Sequence, residues 1–153
     1  MEETHEEFAE FSLERKLKAK VEDVYKMFSD YDQKRTWFKG PNDAETSYQL
    51  DFKIGGKEYS VGKFHDGITH EFCATYYDIV PNKRIVYAYE MYLDKKRISV
   101  SVATITLKED GDLTVFKLHE SGVFLDNLDK SESRLAGSNM LMDSIVAKLE
   151  SRG

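Results

Sequence analysis

RIVYAYEMYL, residues 84–93, alternates two kinds of side chain along its length. The odd positions are large and apolar or aromatic: Ile85, Tyr87, Tyr89, Met91 and Leu93. The even positions are Val86, Ala88, Glu90 and Tyr92. A period of two is that of a β-strand, in which successive side chains point to opposite faces of the sheet. The odd-numbered face either belongs to a packed core or lines a cavity.

The neighbouring segments alternate in the same way. They are HEFCATYYDIV (70–80), RISVSVATITL (97–107) and LTVFKLHE (113–120). Short turn-forming stretches, 81–83 and 108–112, would join them into antiparallel hairpins. A further hairpin is predicted for YQLDFKI and KEYSVGKF, where Gly55-Gly56 would supply the positive φ angles of a tight turn.

The two ends of the chain supply helices and one more strand. FSLERKLKA (11–19) alternates as a strand with one wet face, and VEDVYKMF (21–28) has apolar residues at helical spacing. A short helical link is predicted to end at Gly40-Pro41, because proline disfavours helix in the residue before it. From near residue 130 to 150 the period is helical again, with an apolar stripe of Leu135, Met142, Ile145, Val146 and Leu149.

This order predicts an α+β fold of about seven antiparallel strands, two short helices and a long C-terminal helix. A sheet with one wet face needs a cover on the other, and the last helix is the obvious one. With 153 residues, two prolines and no low-complexity linker, residues 1–153 are expected to form a single domain.

Composition bounds the partners and the compartment. A net charge of −6 argues against nucleic acid or an anionic membrane as partner, since phosphate binding needs a basic surface. No apolar run approaches the ~20 residues of a membrane span. The acidic N-terminal stretch lacks the apolar core of a secretory signal, and a single cysteine, Cys73, cannot form an internal disulfide. A cytoplasmic location is therefore expected.

Six segments, in order, resemble the helix-grip families related to START lipid-transfer domains and the birch-pollen allergen. They are AKVEDVYKMFSD (19–30), TWF (36–38), DFKIGGKEY (51–59), YYDIVPNKRIVYAYE (76–90), TVFKLHESG (114–122) and LAGSNMLMDSIVAKL (135–149). Within these families the chain is most similar to the group named for the activator of the 90-kDa heat-shock-protein ATPase. The resemblance implies a curved sheet wrapped around the last helix, with an apolar cavity between them.

One departure from the family affects the cavity. Relatives often carry Gly-Trp in the last helix, where this chain has Gly137-Ser138. The missing indole should either open space beside the helix or be replaced by Trp37, the only tryptophan.

The sequence contains no recognisable metal, cofactor or catalytic motif. His65-Asp66 and His70-Glu71 do not combine into a convergent metal-ligand spacing, and Cys73 in a strand is typical of a small buried residue. No nucleophile elbow, phosphate-binding loop or dinucleotide fingerprint is present. No metal, cofactor or catalytic residue is therefore assigned.

The aromatic residues favour a cavity. Nine Tyr and nine Phe are many, and tyrosine suits a pocket for an amphipathic guest because its ring is apolar and its hydroxyl polar. The predicted walls are Trp37, Phe38, Phe52, Tyr59, Tyr87, Tyr89, Phe116 and Met142. Glu120 and Asn139 are the candidate polar contacts.

Both polar candidates have a second interpretation. Strand alternation places Glu120 with Phe116 and Leu118, where an apolar surrounding would raise its pKa. The favoured alternative puts Glu120 at the wet end of its strand, beside a turn at Ser121-Gly122. Asn139 could offer its amide to a ligand or cap a strand carbonyl.

Three functions are compatible with these features. The first is a non-catalytic carrier or sensor of a small hydrophobic or aromatic molecule. The second is an aromatase/cyclase-like enzyme, whose site needs little sequence signature. The third, taken from the family's name, is a chaperone cofactor, and it ranks last because the eukaryotic activator has a further N-terminal domain.

A homodimer is also expected, from exposed sheet edges and an apolar loop tip at Val123-Phe124-Leu125.

Overall fold

The computed structural model describes residues 3–38, 45–64 and 66–151. Its elements are β1 (Glu6–Leu17), α1 (Val21–Ser29), α2 (Tyr31–Phe38), β2 (Glu45–Leu50), β3 (Lys57–Lys63), β4 (Thr69–Val80), β5 (Arg84–Leu93), β6 (Lys96–Asp110), β7 (Leu113–Leu125) and α3 (Ser131–Glu150). The seven strands form one sheet in the order β1-β7-β6-β5-β4-β3-β2, and every neighbouring pair is antiparallel. The predicted α+β helix-grip fold is confirmed.

The connections explain this order. The α1–α2 pair carries the chain from β1 at one edge of the sheet to β2 at the other, and successive hairpins then return to β7 beside β1. Asp94 and Lys95 between β5 and β6 have positive φ angles of 46° and 69°, the conformation that a two-residue hairpin turn requires. The strand RIVYAYEMYL lies in the middle of the sheet, where it pairs with both β4 and β6.

The core lies between the inner face of the sheet and the helices. Met142, Ile145 and Leu149 of α3 are buried against it, and Leu135 and Val146 pack beside them half-buried. The predicted helical stripe and its boundaries near residues 130 and 150 are therefore confirmed. Each such side chain contributes about 1.5–3 kcal/mol through burial, so α3 is a principal source of stability.

The first hairpin differs from its prediction. β2 ends at Leu50, and residues 51–56 form a broad connection instead of a tight Gly-Gly turn. Gly55 has a φ of 82°, while a Cβ on Gly56 would lie 2.0 Å from the Asp51 carbonyl oxygen. Gly55 therefore serves backbone conformation, and Gly56 serves close backbone approach. The predicted helix end at Gly40-Pro41 lies outside the described residues.

The last strand is longer than predicted. β7 continues through Ser121 and Gly122 to Leu125, so these residues form no turn. A Cβ on Gly122 would come within 2.4 Å of the Val100 carbonyl oxygen on β6. Phe124 is only 3% exposed and lies under the Arg134 guanidinium, 4.9 Å from ring centroid to Cζ.

The 123–125 segment is thus strand and not an apolar loop tip, and that reason for expecting a homodimer was wrong. The other reason concerns the sheet edges. β1 and β2 each have a strand partner on one side only. Self-association stays a prediction.

Candidate functional site

A cavity of about 720 Å³ lies between the inner face of the sheet, α2 and α3. Strand alternation supplies most of its wall, because β5 and β7 turn every second side chain towards the helices. Tyr87, Tyr89 and Met91 come from β5, and Phe116, Leu118 and Glu120 come from β7. The volume is in the range of sites that enclose a small organic molecule.

The structure brings seven of the ten candidate site residues together around this cavity: Trp37, Phe38, Tyr87, Tyr89, Phe116, Glu120 and Met142. The odd-numbered face of RIVYAYEMYL therefore belongs partly to the packed core and partly to the cavity wall. Ile85 is buried in the packed core, while Tyr87 and Tyr89, further along the strand, line the cavity.

Trp37 is held firmly in the cavity wall. Its indole Nε1 donates a hydrogen bond to the Met27 carbonyl oxygen at 2.7 Å, and its ring meets Phe28 edge-on at 5.1 Å. Gly137 and Ser138 of α3 also line the cavity, and a Cβ on Gly137 would meet nothing within 4 Å. Ser138, the position where relatives often carry tryptophan, thus lies in the cavity wall.

Phe52 and Tyr59 do not line the cavity. Phe52 lies in the 51–56 connection and packs on Tyr25 and Tyr76, with ring centroids 5.9 and 4.9 Å away. Tyr59 lies on the outer face of β3, where its hydroxyl donates to Glu71 at 3.1 Å. The strand was assigned the wrong inward face, because β3 turns the polar residues Glu58 and Ser60 inwards.

Asn139 also lies away from the cavity wall. Its Oδ1 accepts a hydrogen bond from Arg15 of β1 at 3.1 Å, and its Nδ2 donates to the Leu135 carbonyl oxygen at 3.3 Å. The amide therefore joins α3 to β1. The cavity contact expected of it is not present, and neither is the capping of a strand carbonyl.

Glu120 is the carboxylate that enters the cavity. It is 5% exposed, and its Oε1 accepts a short hydrogen bond from the Tyr89 hydroxyl. Arg134 of α3 donates in turn to the Tyr89 oxygen at 3.0 Å, and its other hydrogen bonds go to Ser99 and Asp129, both at 2.9 Å. The wet-end interpretation of Glu120 was wrong, because β7 continues beyond it under α3.

Burial sets the ionisation of this cluster. It raises the pKa of Glu120, and the Tyr89 hydrogen bond and the Arg134 charge offset only part of that effect. Burial also raises the pKa of Tyr87 and of Tyr89, and the nearby Glu120 charge adds to both shifts. A carboxyl with a raised pKa inside a cavity can bind a cation or transfer a proton.

A second buried polar cluster lies beside α2. The Lys34 ammonium, 4% exposed, is 2.7 Å from Glu58 Oε1 and lines the cavity from α2. Tyr76 donates to the same Glu58 oxygen at 2.5 Å, and Tyr48 donates to Oε2 at 2.6 Å. Both oxygens of Glu58 are therefore satisfied, and the ion pair fastens α2 to β3.

Sequence reasoning missed Arg134 and Lys34, since lone basic residues in helices are usually solvated. A signal for Arg134 exists in its spacing. It stands seven positions before Leu141 and eleven before Ile145, which places it on the inward face of α3. Lys34 has no comparable signal, because its partner Glu58 lies on a different element.

The part of the chain that the structure describes has neither a metal-ligand cluster nor a membrane-spanning helix. Across residues 3–38, 45–64 and 66–151, no three His, Cys, Asp or Glu side chains converge as a metal site. His65 lies outside the described residues. No helix in the described part of the chain is long and apolar enough to cross a membrane.

Comparison with known proteins places the chain in a family. Residues 18–150 match the family described as Activator of Hsp90 ATPase homolog 1-like protein. An uncharacterized protein from Rhizobium leguminosarum is 38% identical, with a TM-score of 0.93 over 98% of this chain and 99% of that one. The Mll3558 protein from Rhizobium loti is 30% identical, with a TM-score of 0.86 over 94% and 98%.

A more distant structure shares the fold alone. DynU16, a protein in the dynemicin biosynthetic locus, is 16% identical, with a TM-score of 0.65 over 92% of this chain and 47% of that one. No curated protein matches the chain in sequence. The family match over nearly the whole chain and the close structural relatives show that this protein belongs to the Activator of Hsp90 ATPase homolog 1-like family of helix-grip proteins.

Proposed function

We propose that the protein binds a small hydrophobic or aromatic molecule in the cavity between the sheet and α3, as a carrier or sensor and not as a catalyst. The observation that carries this proposal is the aromatic lining together with the buried carboxyl of Glu120. Such a wall can enclose an apolar body, and the carboxyl can bind one polar end. A sugar or a nucleotide would need many more polar contacts.

The ring contacts around the cavity support a preformed site. Phe72 meets Phe38 at 4.9 Å and Tyr89 at 5.0 Å between centroids, which joins α2 to β5 through β4. Trp37 is fixed by its hydrogen bond to Met27. Because these walls are ordered by their own packing, a guest loses little affinity to their reorganisation, and we expect micromolar binding, roughly −8 kcal/mol.

Titration with an environment-sensitive apolar dye, followed by competition, tests the proposal. Tyr87→Ala and Phe116→Ala should weaken dye binding severalfold or more, because each removes a ring from the cavity wall. Tyr77→Ala is the matched control, since Tyr77 is 63% exposed and lies outside the cavity lining. Absence of saturable binding by the wild-type protein, or equal weakening by Tyr77→Ala, would contradict the proposal.

A second candidate function is that of an aromatase/cyclase-like enzyme. It is favoured by the raised pKa of Glu120 and by the chain of hydrogen bonds from Arg134 through Tyr89 to that carboxyl. DynU16, which comes from a biosynthetic locus, shares this fold. Incubation with linear poly-β-ketone thioesters, analysed for cyclised products, tests this candidate, and product formation unchanged in Glu120→Gln would exclude Glu120 from it.

A further inference from the structure

Glu120 is a buried carboxylate with unused hydrogen-bonding capacity. Its Oε1 accepts from Tyr89, whereas Oε2 accepts no hydrogen bond from any residue in the described part of the chain. None of the described basic side chains lies within 4.0 Å of it as an ion-pair partner. This oxygen is not fully enclosed by protein atoms, so it is open to the cavity, where a bound molecule can donate to it.

The surrounding charges favour a cationic donor. Arg134 is the nearest cation on α3, and Asp129 neutralises it at 2.9 Å. Tyr89, Ser99 and Asp129 accept hydrogen bonds from its guanidinium, so these donors are already engaged within the protein. Arg134, Asp129 and an ionised Glu120 together carry one excess negative charge.

The Lys34–Glu58 cluster does not change this excess of one negative charge. Lys34 and Glu58 form a closed pair at 2.7 Å, and the remaining hydrogen bonds of Glu58 come from neutral tyrosines. The chain as a whole carries a net charge of −6, which attracts cations and repels anions at long range.

Two tyrosine rings beside Glu120 also favour a cationic guest. Tyr87 and Tyr89 line the cavity beside Glu120, with their ring centroids 5.9 Å apart. The faces of aromatic rings attract ammonium groups, and a desolvated carboxylate forms its strongest hydrogen bonds with a charged donor. An anionic guest would instead meet the Glu120 carboxylate, and the one cation of the described lining without an ion-pair partner, Lys148, is exposed in the last turn of α3.

We propose that the guest's polar end is a protonated amine that donates to Glu120, so that the cavity takes hydrophobic or aromatic amines. This inference rests on the proposed binding function. The amine nitrogen would supply the donor that Oε2 lacks, and the apolar body would lie against the aromatic wall formed by Trp37, Phe72 and Phe116.

Three probes with one aromatic body test the inference: naphthylethylamine, naphthylethanol and naphthylacetate. Their dissociation constants are measured by calorimetry for the wild type, Glu120→Gln and Glu90→Gln. Glu90 is the matched control, because it lies on the outer face of the sheet and pairs with Arg97 at 2.8 Å. Thermal unfolding of each variant reports whether it is folded.

We expect the wild type to bind the amine about tenfold to a hundredfold more tightly than the alcohol, the range of a charge-assisted hydrogen bond. Glu120→Gln should lose this preference while still binding the alcohol, and Glu90→Gln should keep it. Glu120→Asp, which retains the charge at a shorter reach, should keep part of it.

The outcomes separate the two proposals. If no probe binds the wild type, the proposed binding function fails. If the probes bind but the amine has no advantage, or if Glu120→Gln keeps that advantage, the cavity stands and the amine inference is overturned. Tightest binding of naphthylacetate would overturn it as well.

Discussion

Glu58 and Glu120 both point from the inner face of one sheet into the protein, and both are nearly inaccessible, at 1% and 5% exposure. Their surroundings differ. Glu58 has Lys34 at 2.7 Å and two tyrosine hydroxyls, so both of its oxygens are satisfied. Glu120 has the Tyr89 hydroxyl on one oxygen and no donor among the described residues on the other.

This difference separates a structural carboxylate from an available one. Burying a charge is unfavourable in both places. At Glu58 the Lys34 ammonium and the hydroxyls of Tyr48 and Tyr76 offset the cost of burial within the fold. At Glu120 the compensation is partial, which is why the pKa of this carboxyl is raised by burial. A closed cluster contributes to the architecture, whereas an incomplete one can still interact with a guest.

The largest expected effect is at the closed cluster. Lys34→Met should lower the free energy of unfolding by about 3–5 kcal/mol, because it leaves the Glu58 charge buried without its cation. Urea denaturation followed by circular dichroism measures the change. The double variant Lys34→Met/Glu58→Gln is the control, and it should recover much of the loss since no buried charge remains.

A loss below about 1 kcal/mol in Lys34→Met is typical of a surface ion pair. It would show that the Lys34–Glu58 pair does not stabilise the fold as a buried ion pair. A double variant no more stable than the single one would mean that the packing of α2, and not the charge, carries the effect.

Tyr89→Phe should have the next largest effect, about 1–3 kcal/mol. The hydroxyl donates to Glu120 and accepts from Arg134, so its removal takes a hydrogen bond from two buried charged groups at once. Tyr59→Phe is the matched control on the outer face and should change stability by no more than about 0.5 kcal/mol. Equal losses in the two variants, measured by urea denaturation, would refute the special position of Tyr89.

The smallest effect on stability is expected for Glu120→Gln, and it should depend on pH. Since the folded-state pKa of Glu120 lies above its ordinary value of 4.5, the folded protein binds more protons than the unfolded chain between the two values. The free energy of unfolding of the wild type therefore falls as pH rises through this window, and the penalty is complete above the folded pKa.

Glutamine carries no such penalty, so the stability of Glu120→Gln relative to wild type should increase from about pH 4 upwards and then level off. Urea denaturation at several pH values measures the difference between the two proteins, in which the contributions of other groups cancel. A difference that shrinks with rising pH would show that Glu120 is stabilised as a carboxylate in the folded state.

Local pattern was sufficient for most of the architecture. The period-two segments predicted β4 to β7, and the helical stripe predicted α3 with Met142, Ile145 and Leu149 inwards. The alternation pattern gave the wrong inward face for β3, where the aromatic residue Tyr59 points outwards. There the inward position belongs to Glu58, because Lys34 on another element satisfies its charge.

The candidate site shows the same division. Tyr87, Tyr89 and Phe116 could be assigned to the cavity from alternation alone, since a strand keeps its faces along its length. Phe52 could not be placed, because β2 ends before it. Arg134 has the helical spacing of the inward face of α3, but its charge made a solvent-exposed position the expected one.

The sequence by itself determined the order of elements, the antiparallel pairing and the apolar face of α3, because these follow from side-chain periodicity and turn residues that are close in the chain. Only the tertiary structure decided which charges are buried and which are satisfied. Lys34 meets Glu58 across 24 positions and Tyr89 meets Glu120 across 31, and such partnerships depend on how the layers pack. Desolvation acts on a group through everything that surrounds it, and the surroundings of Glu120 exist only once α3 closes over the sheet.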